Sequence, residues 1–369
     1  MKQRNFGLDL LRMAAMFLVA VLHVLGAGGV LDSAAPLSPD YMTAWLLETA
    51  AFCAVNCYAL LSGFVGLGGR FRYANLALLW CQVAFYTLLI PLVFALARPG
   101  TVGEWALLRG FFPAMSNHYW YFTAYFALFF FIPALNFLVE RLGQRQMKTL
   151  AVSLVVVFSI LPTVFQTAVL PIFPGDLFIE YGGYSPLWLA VLYILGAYAR
   201  KYDLLTRLSP GKALGLYAAC VAVSWGEKMA VEWGWLRVTG SFKSSGILVS
   251  YTSPTMLLAA FALLSLFYHL RIPKWAEKPI AFLAPMAFSV YLIHVHPLMW
   301  QHVMWGRFAA FGSCGTVKLA LFVLAAALGI YLGCSAIDCV RSWIFRRLKL
   351  KQRLLTLEEK WLGGLWEDA

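Results

Sequence analysis

Charge is scarce in this sequence. Only 12% of its 369 residues are Asp, Glu, Lys or Arg, against 62% that are apolar, and the mean hydropathy is +0.74. A soluble domain carries roughly 25% charged residues, so a water-soluble globular protein is excluded. A second hydrophilic domain is also missing, and no internal repeat is evident. There is no CxxC and no Cys/His pairing at metal-ligand spacing. Cys53, Cys57, Cys81, Cys220, Cys334 and Cys339 fall within apolar runs, and Cys314 lies near the end of one. They read as small packing residues, neither a disulfide framework nor a zinc site. No metal and no permanently bound cofactor is expected.

What is present is a series of apolar runs of about 20 residues, the length that crosses a bilayer. We place ten, at roughly 8–28, 43–66, 74–97, 119–140, 148–165, 186–200, 211–234, 251–270, 280–304 and 316–340. The expected fold is an all-α integral membrane bundle. The first run is too long for a cleaved leader and contains Arg12, so it reads as a retained anchor.

The net charge of +12 would suggest nucleic acid in a soluble protein. Its distribution gives a different reason. With the ten spans above, 22 of the 29 basic residues fall on the side of the N-terminus, and seven (Arg98, Arg109, Lys228, Arg237, Lys243, Arg307, Lys318) elsewhere. Such an asymmetry expects both termini in the cytoplasm. No nucleic-acid partner is expected; membrane lipids are. The tail holds five basic residues in Arg346–Arg353, suited to an anionic lipid surface.

The stretch Arg4–Gly29 is the informative one. It is apolar enough to span, yet carries Asp9, Arg12 and His23. Ionisable groups inside a span are costly and mark function by default. Arg12 and His23 are 11 residues apart, about three turns plus 20°, so they share one helix face with Met16 and Val19. The rise between them is about 16 Å, half the hydrocarbon thickness. A snorkelling arginine and an unrelated packed histidine explain the same residues.

Arg, ten residues, then His in the first span resembles the membrane acyltransferase-3 family. Cys53–Phe64 (CAVNCYALLSGF), His118–Asn136 (HYWYFTAYFALFFFIPALN) and Ala287–Pro297 (AFSVYLIHVHP) resemble it too, most of all its polysaccharide O-acetyltransferase branch. The likeness covers residues 4–345, leaving 346–369 as a basic cytoplasmic tail. It implies an integral O-acetyltransferase of a bacterial inner (plasma) membrane. Acetyl-CoA would serve as co-substrate, and the acceptor would be a hydroxyl of a cell-envelope glycan or its lipid-linked precursor. Transfer would be direct or through a separate periplasmic acetyl-acceptor protein.

In that reading His23 is the general base or a transient acetyl carrier. Arg12 holds the donor or developing oxyanion charge, and Asp9, one turn earlier, orients its guanidinium. Of His294 and His296, two apart and so pointing different ways on a helix, the resemblance picks His294. Gly66, Gly68 and Gly69 break the second span before Arg70 and Arg72, a combination suited to the donor's phosphates and equally to a flexible, positively charged turn. His118, Trp120 and Tyr121 suit stacking on an acceptor sugar, or an interfacial belt. The outer loop Gln166–Pro186 is either a lid over the acceptor or a surface cover. Pro133 should kink the fourth span, with Asn136 using the freed carbonyl. Lys228 and Glu232 should pair within their helix. The alternative from another class is a proton-coupled secondary transporter, which also uses intramembrane Arg and His; no matching pair of interrupted spans supports it.

Overall fold

The structure is a computed structural model, and it describes residues 4–165, 178 and 181–363. The loop Gln166–Pro186, expected as a lid or a surface cover, therefore falls largely outside the described residues. Among those described there is no strand. The principal helices are α1 (Phe6–Leu25), α2 (Pro39–Phe52), α3 (Ala54–Gly66), α4 (Tyr73–Ala97), α5 (Trp120–Arg141) and α6 (Gln144–Val155). They continue with α7 (Pro186–Lys201), α8 (Pro210–Thr239), α9 (Pro254–His269), α10 (Lys274–Leu283), α11 (Ala287–His294), α12 (Thr316–Arg347) and α13 (Leu350–Leu362).

Among the described residues, seven helical segments are long and apolar enough to cross a bilayer: Phe6–Ser33, Pro39–Gly66, Tyr73–Ala97, Trp120–Arg141, Gln144–Phe165, Lys274–His294 and Thr316–Arg347. The remaining expected spans fall on α7, α8 and α9. Of these, α7 and α9 are 16 residues each, and α8 carries Glu227, Lys228 and Glu232 in its second half. The chain is a multi-pass helical membrane protein.

The boundaries follow from local chemistry. Asn5 caps α1 by accepting from the Leu8 amide, and Ser38, Ser185 and Ser253 do the same for α2, α7 and α9, each with Pro in the first turn. Two glycines set the tightest helix pair. A Cβ on Gly63 would collide with the Tyr193 carbonyl, and one on Gly196 with the Leu60 carbonyl. The α3 and α7 backbones thus touch directly, the contact that drives helix association where lipid removes the hydrophobic gain. Helix α5 runs through Pro133 unbroken. Asn136 does not use the carbonyl freed by that proline; it donates to Gly66 O and accepts from the Tyr193 hydroxyl, tying α5 to α3 and α7.

The contacts sort into two ends. At one, Asn5 bonds the Tyr268 carbonyl, Phe64 packs on Tyr268, and Lys201 donates to three carbonyls at the end of α5. Both described termini lie here, because α13 docks on the start of α4. At the other, Gly306 and Phe308 amides bond Ala27 and Gly28, Ser33 bonds Ala309, and the Gly315 amide bonds Asp40. Lys228 and Glu232 do pair, at 2.6 Å, and Tyr41 also donates to Glu232. Both charges are buried, so the cluster is satisfied by hydrogen bonds as burial demands.

Candidate active site

His23 sits in the last turn of α1 and His294 in the last residue of α11. Their rings meet, His23 Nδ1 lying 2.8 Å from His294 Nε2. The other nitrogen of His294, Nδ1, faces the carbonyl of Val290, one turn back on its own helix. A carbonyl only accepts, so that nitrogen carries the proton. In neutral His294 the Nε2 atom is then the acceptor, and His23 Nδ1 must donate to it. The proton of neutral His23 is thereby fixed on Nδ1, leaving its Nε2 with a lone pair. A second ring holding the first in one tautomer is the arrangement a general base requires. Trp300 packs edge-on against His23 with centroids 4.9 Å apart and fixes the ring from a second side.

The two members of the HVH pair part company. Helix α11 stops at His294, and Pro297 opens a separate turn. His296 turns instead toward His118, its ring 6.0 Å away.

His23 borders a small cavity of about 40 Å³ with Met16, Val19, Tyr58, Trp120, Tyr121 and Tyr291 among its walls. At 10–15 Å³ per water-sized group, this space takes about three such groups. Met16 and Val19 are the residues the helical spacing puts on the His23 face. Tyr58, Tyr121 and Phe288 also line a second cavity of about 270 Å³, which extends past Ser62 and Tyr125 to Asn75, Leu76 and Leu79 in the first turns of α4. The two spaces share those three side chains as a common wall. They run from the His23 ring toward the end of the bundle that holds the termini.

Arg12 and Asp9 lie at that end. Asp9 Oδ1 accepts from Arg12 Nη1 at 2.6 Å, and Oδ2 accepts from Arg4 Nε at 2.5 Å. The carboxylate is buried and both cations are partly exposed. The Tyr58 hydroxyl donates to the Arg12 carbonyl at 2.8 Å, and the Arg12 guanidinium is within electrostatic reach of Tyr58 and Tyr125 on the larger cavity.

Arg72 follows the glycine turn immediately before α4. It pairs with Glu359 at 3.1 Å, while Glu358 accepts from the Tyr73 and Ala74 amides at 2.8 and 3.2 Å. These carboxylates come from α13, so the basic tail docks as a helix on the start of α4. The residues expected to bind the acceptor divide. Trp120 and Tyr121 line the His23 cavity, whereas His118 faces a separate space beside His296.

Sequence reasoning missed Tyr58, Tyr291, Trp300 and His296. Tyr58 and Tyr291 stand inside the stretches CAVNCYALLSGF and AFSVYLIHVHP, but nothing in their spacing separates a cavity tyrosine from a packed one. No curated protein and no solved structure matches this chain. A family model does, described as an acyltransferase domain and covering residues 5–339. The chain belongs to the membrane acyltransferase-3 family, and its paired histidines, buried carboxylate and adjoining cavities stand within an acyltransferase domain.

Proposed function

We propose that the protein is an O-acetyltransferase of the bacterial inner membrane with ten spans and both termini in the cytoplasm. The donor is cytoplasmic acetyl-CoA. The acceptor is a hydroxyl of a cell-envelope glycan or its lipid-linked precursor. The observation that carries this reading is the His23–His294 pair, set at the end of a cavity that leads toward the positively charged end of the bundle.

The acyl end of the donor enters between Tyr58, Ser62 and Tyr125. Its phosphates stay at the mouth, near Arg12, Arg70 and Arg72. His23 Nε2 takes the proton of the acceptor hydroxyl as that oxygen attacks the thioester carbonyl. The carbon–sulfur bond breaks, and the thiolate of coenzyme A leaves and takes up the proton. His294 accepts from His23 Nδ1 throughout, and so steadies the imidazolium. The Tyr121 hydroxyl offers a donor to the oxyanion.

The test is a proteoliposome assay with acetyl-labelled donor and envelope glycan. Coenzyme A release that matches label on glycan hydroxyls, and that is lost in His23→Ala, is the expected result. Uptake of a solute with no coenzyme A release overturns the reading in favour of a transporter.

A further inference from the structure

The space beside His118 is a second site in its own right. It holds about 460 Å³, within the range of small-molecule pockets, and is lined by residues 102–106 and 296–298 together with Arg109, Ser116, Asn117 and His118. It lies at the end of the bundle away from the termini. A wall separates it from the His23 cavity. Tyr119 donates to the Leu292 carbonyl at 2.7 Å and packs on Tyr291 on one side and His296 on the other.

Its chemistry is neutral and rich in hydrogen-bonding groups. His296 is 2% exposed. Its Nδ1 accepts from the Leu298 amide at 3.2 Å, so in the neutral ring Nε2 carries the hydrogen. That Nε2 is buried and has no hydrogen-bond partner among the described residues. An orphaned buried donor costs about 1–3 kcal/mol, and the ring that carries it lines this cavity. His118 bonds the Ser116 hydroxyl through Nδ1, leaving its other nitrogen for a ligand. Burial, and then the nearby Arg109 charge, lowers the pKa of His118, so this imidazole adds no charge near neutral pH. Arg109 and Glu104 offset each other. Trp105, 63% exposed, supplies an open aromatic face on the same wall.

Uncharged donors and acceptors around an aromatic plate match a polyhydroxylated ring better than a phosphate or a carboxylate. We infer that this outer cavity, formed by Trp105, Arg109, His118 and His296, is a binding subsite for a neutral sugar ring, distinct from the space where the reacting hydroxyl meets His23. It rests on the proposed glycan acceptor and adds to it that a second ring of that acceptor, other than the one that carries the reacting hydroxyl, is held here beside Trp105 and His118.

The experiment is a binding titration without acetyl-CoA, so it fails independently of the transfer assay. Purified protein in detergent is titrated with maltotriose, cellotriose and chitotriose while tryptophan fluorescence is followed, with Trp105→Phe to assign the change. At least one neutral trisaccharide is expected to bind, with the signal lost in Trp105→Phe. Affinity should fall at least tenfold in His296→Asn and in Arg109→Gln. The second variant alters only an exposed side chain, so it keeps the test valid if His296→Asn unfolds. No binding by any of the three sugars overturns the inference. So does binding of an anionic hyaluronan trisaccharide alone, or binding unchanged in Arg109→Gln and in a folded His296→Asn.

Discussion

His294 fixes the tautomer of His23: one nitrogen of His294 is committed to the Val290 carbonyl, and the other accepts from His23 Nδ1 at 2.8 Å. The free lone pair therefore belongs to His23 Nε2, and the two rings act as one unit. Groups that act as a unit give non-additive losses. His23→Ala should abolish acyl transfer with the protein still inserted. His294→Ala should lower kcat about 10²-fold, in the range of general-base contributions. The double variant should be no worse than His23→Ala alone. A steady-state comparison of the three decides the point, and multiplicative losses would show that the rings work separately.

Asp9 holds two cations on one carboxylate, Arg4 through Oδ2 and Arg12 through Oδ1. Asp9→Asn removes the charge and keeps the size. Arg12 then loses its anchor beside the inward cavity. The expected result is a rise of about tenfold in the KM for donor, with the acceptor dependence unchanged, since a partly buried charged hydrogen bond is worth about 1.5–3 kcal/mol. An equal effect on both substrates would mean that Asp9 serves the fold of α1 and not donor placement.

The tail helix sits where the donor's phosphates are proposed to bind. Glu358 caps the amides of Tyr73 and Ala74, and Glu359 holds Arg72. Nothing in the sequence of α4 itself caps its N-terminus, and a lost cap costs about 1 kcal/mol. Glu358→Ala with Glu359→Ala should therefore loosen the tail, seen as faster proteolysis after Arg347, and should free Arg72. Donor KM should fall by a few-fold. An unchanged KM with a released tail would assign Arg72 to topology alone.

Much of this was legible in the sequence because membranes simplify the problem. The seven strongest spans follow from length and apolarity alone, and the face shared by Met16, Val19 and His23 from the helical period. The intrahelical Lys228–Glu232 pair was equally plain from i,i+4 spacing. What escaped depends on which helices touch. The docking of Glu358 on the Tyr73 amide joins residues 285 apart, and the Asn136 bridge joins α5 to α3 and α7. His118 parts from Trp120 because a helix starts between them, turning the indole inward while the imidazole stays on the loop.

Gly63 and Gly196 let α3 and α7 meet backbone to backbone. The clash of an added side chain at either position is with a carbonyl and not with a movable tip. Gly196→Val should therefore separate the helices and cost more than the usual 1–3 kcal/mol of overpacking. A large fall in the thermal unfolding midpoint in detergent is the expected reading. A midpoint within a few degrees of the parent would refute the close approach.

The last prediction concerns the joint between the two cavities. Tyr58, Tyr121 and Phe288 line both the space at His23 and the larger one that reaches Asn75. If the acyl end of the donor passes this joint, filling it blocks transfer without touching either histidine. Ser62 lines only the larger cavity and is partly buried. Ser62→Phe adds bulk on the entrance side of the joint, away from the His23 rings. Transfer from acetyl-CoA should drop at least 10²-fold, while coenzyme A itself, which lacks the acyl group, keeps its affinity because its phosphates bind at the mouth. Phe288→Ala should do the reverse: it widens the joint, so longer acyl chains such as butyryl should gain relative to acetyl. Measuring kcat/KM for acetyl, propionyl and butyryl donors in the parent and both variants separates the cases. A chain-length preference unmoved by Phe288→Ala, together with full activity in Ser62→Phe, would mean that the thioester reaches His23 by another route.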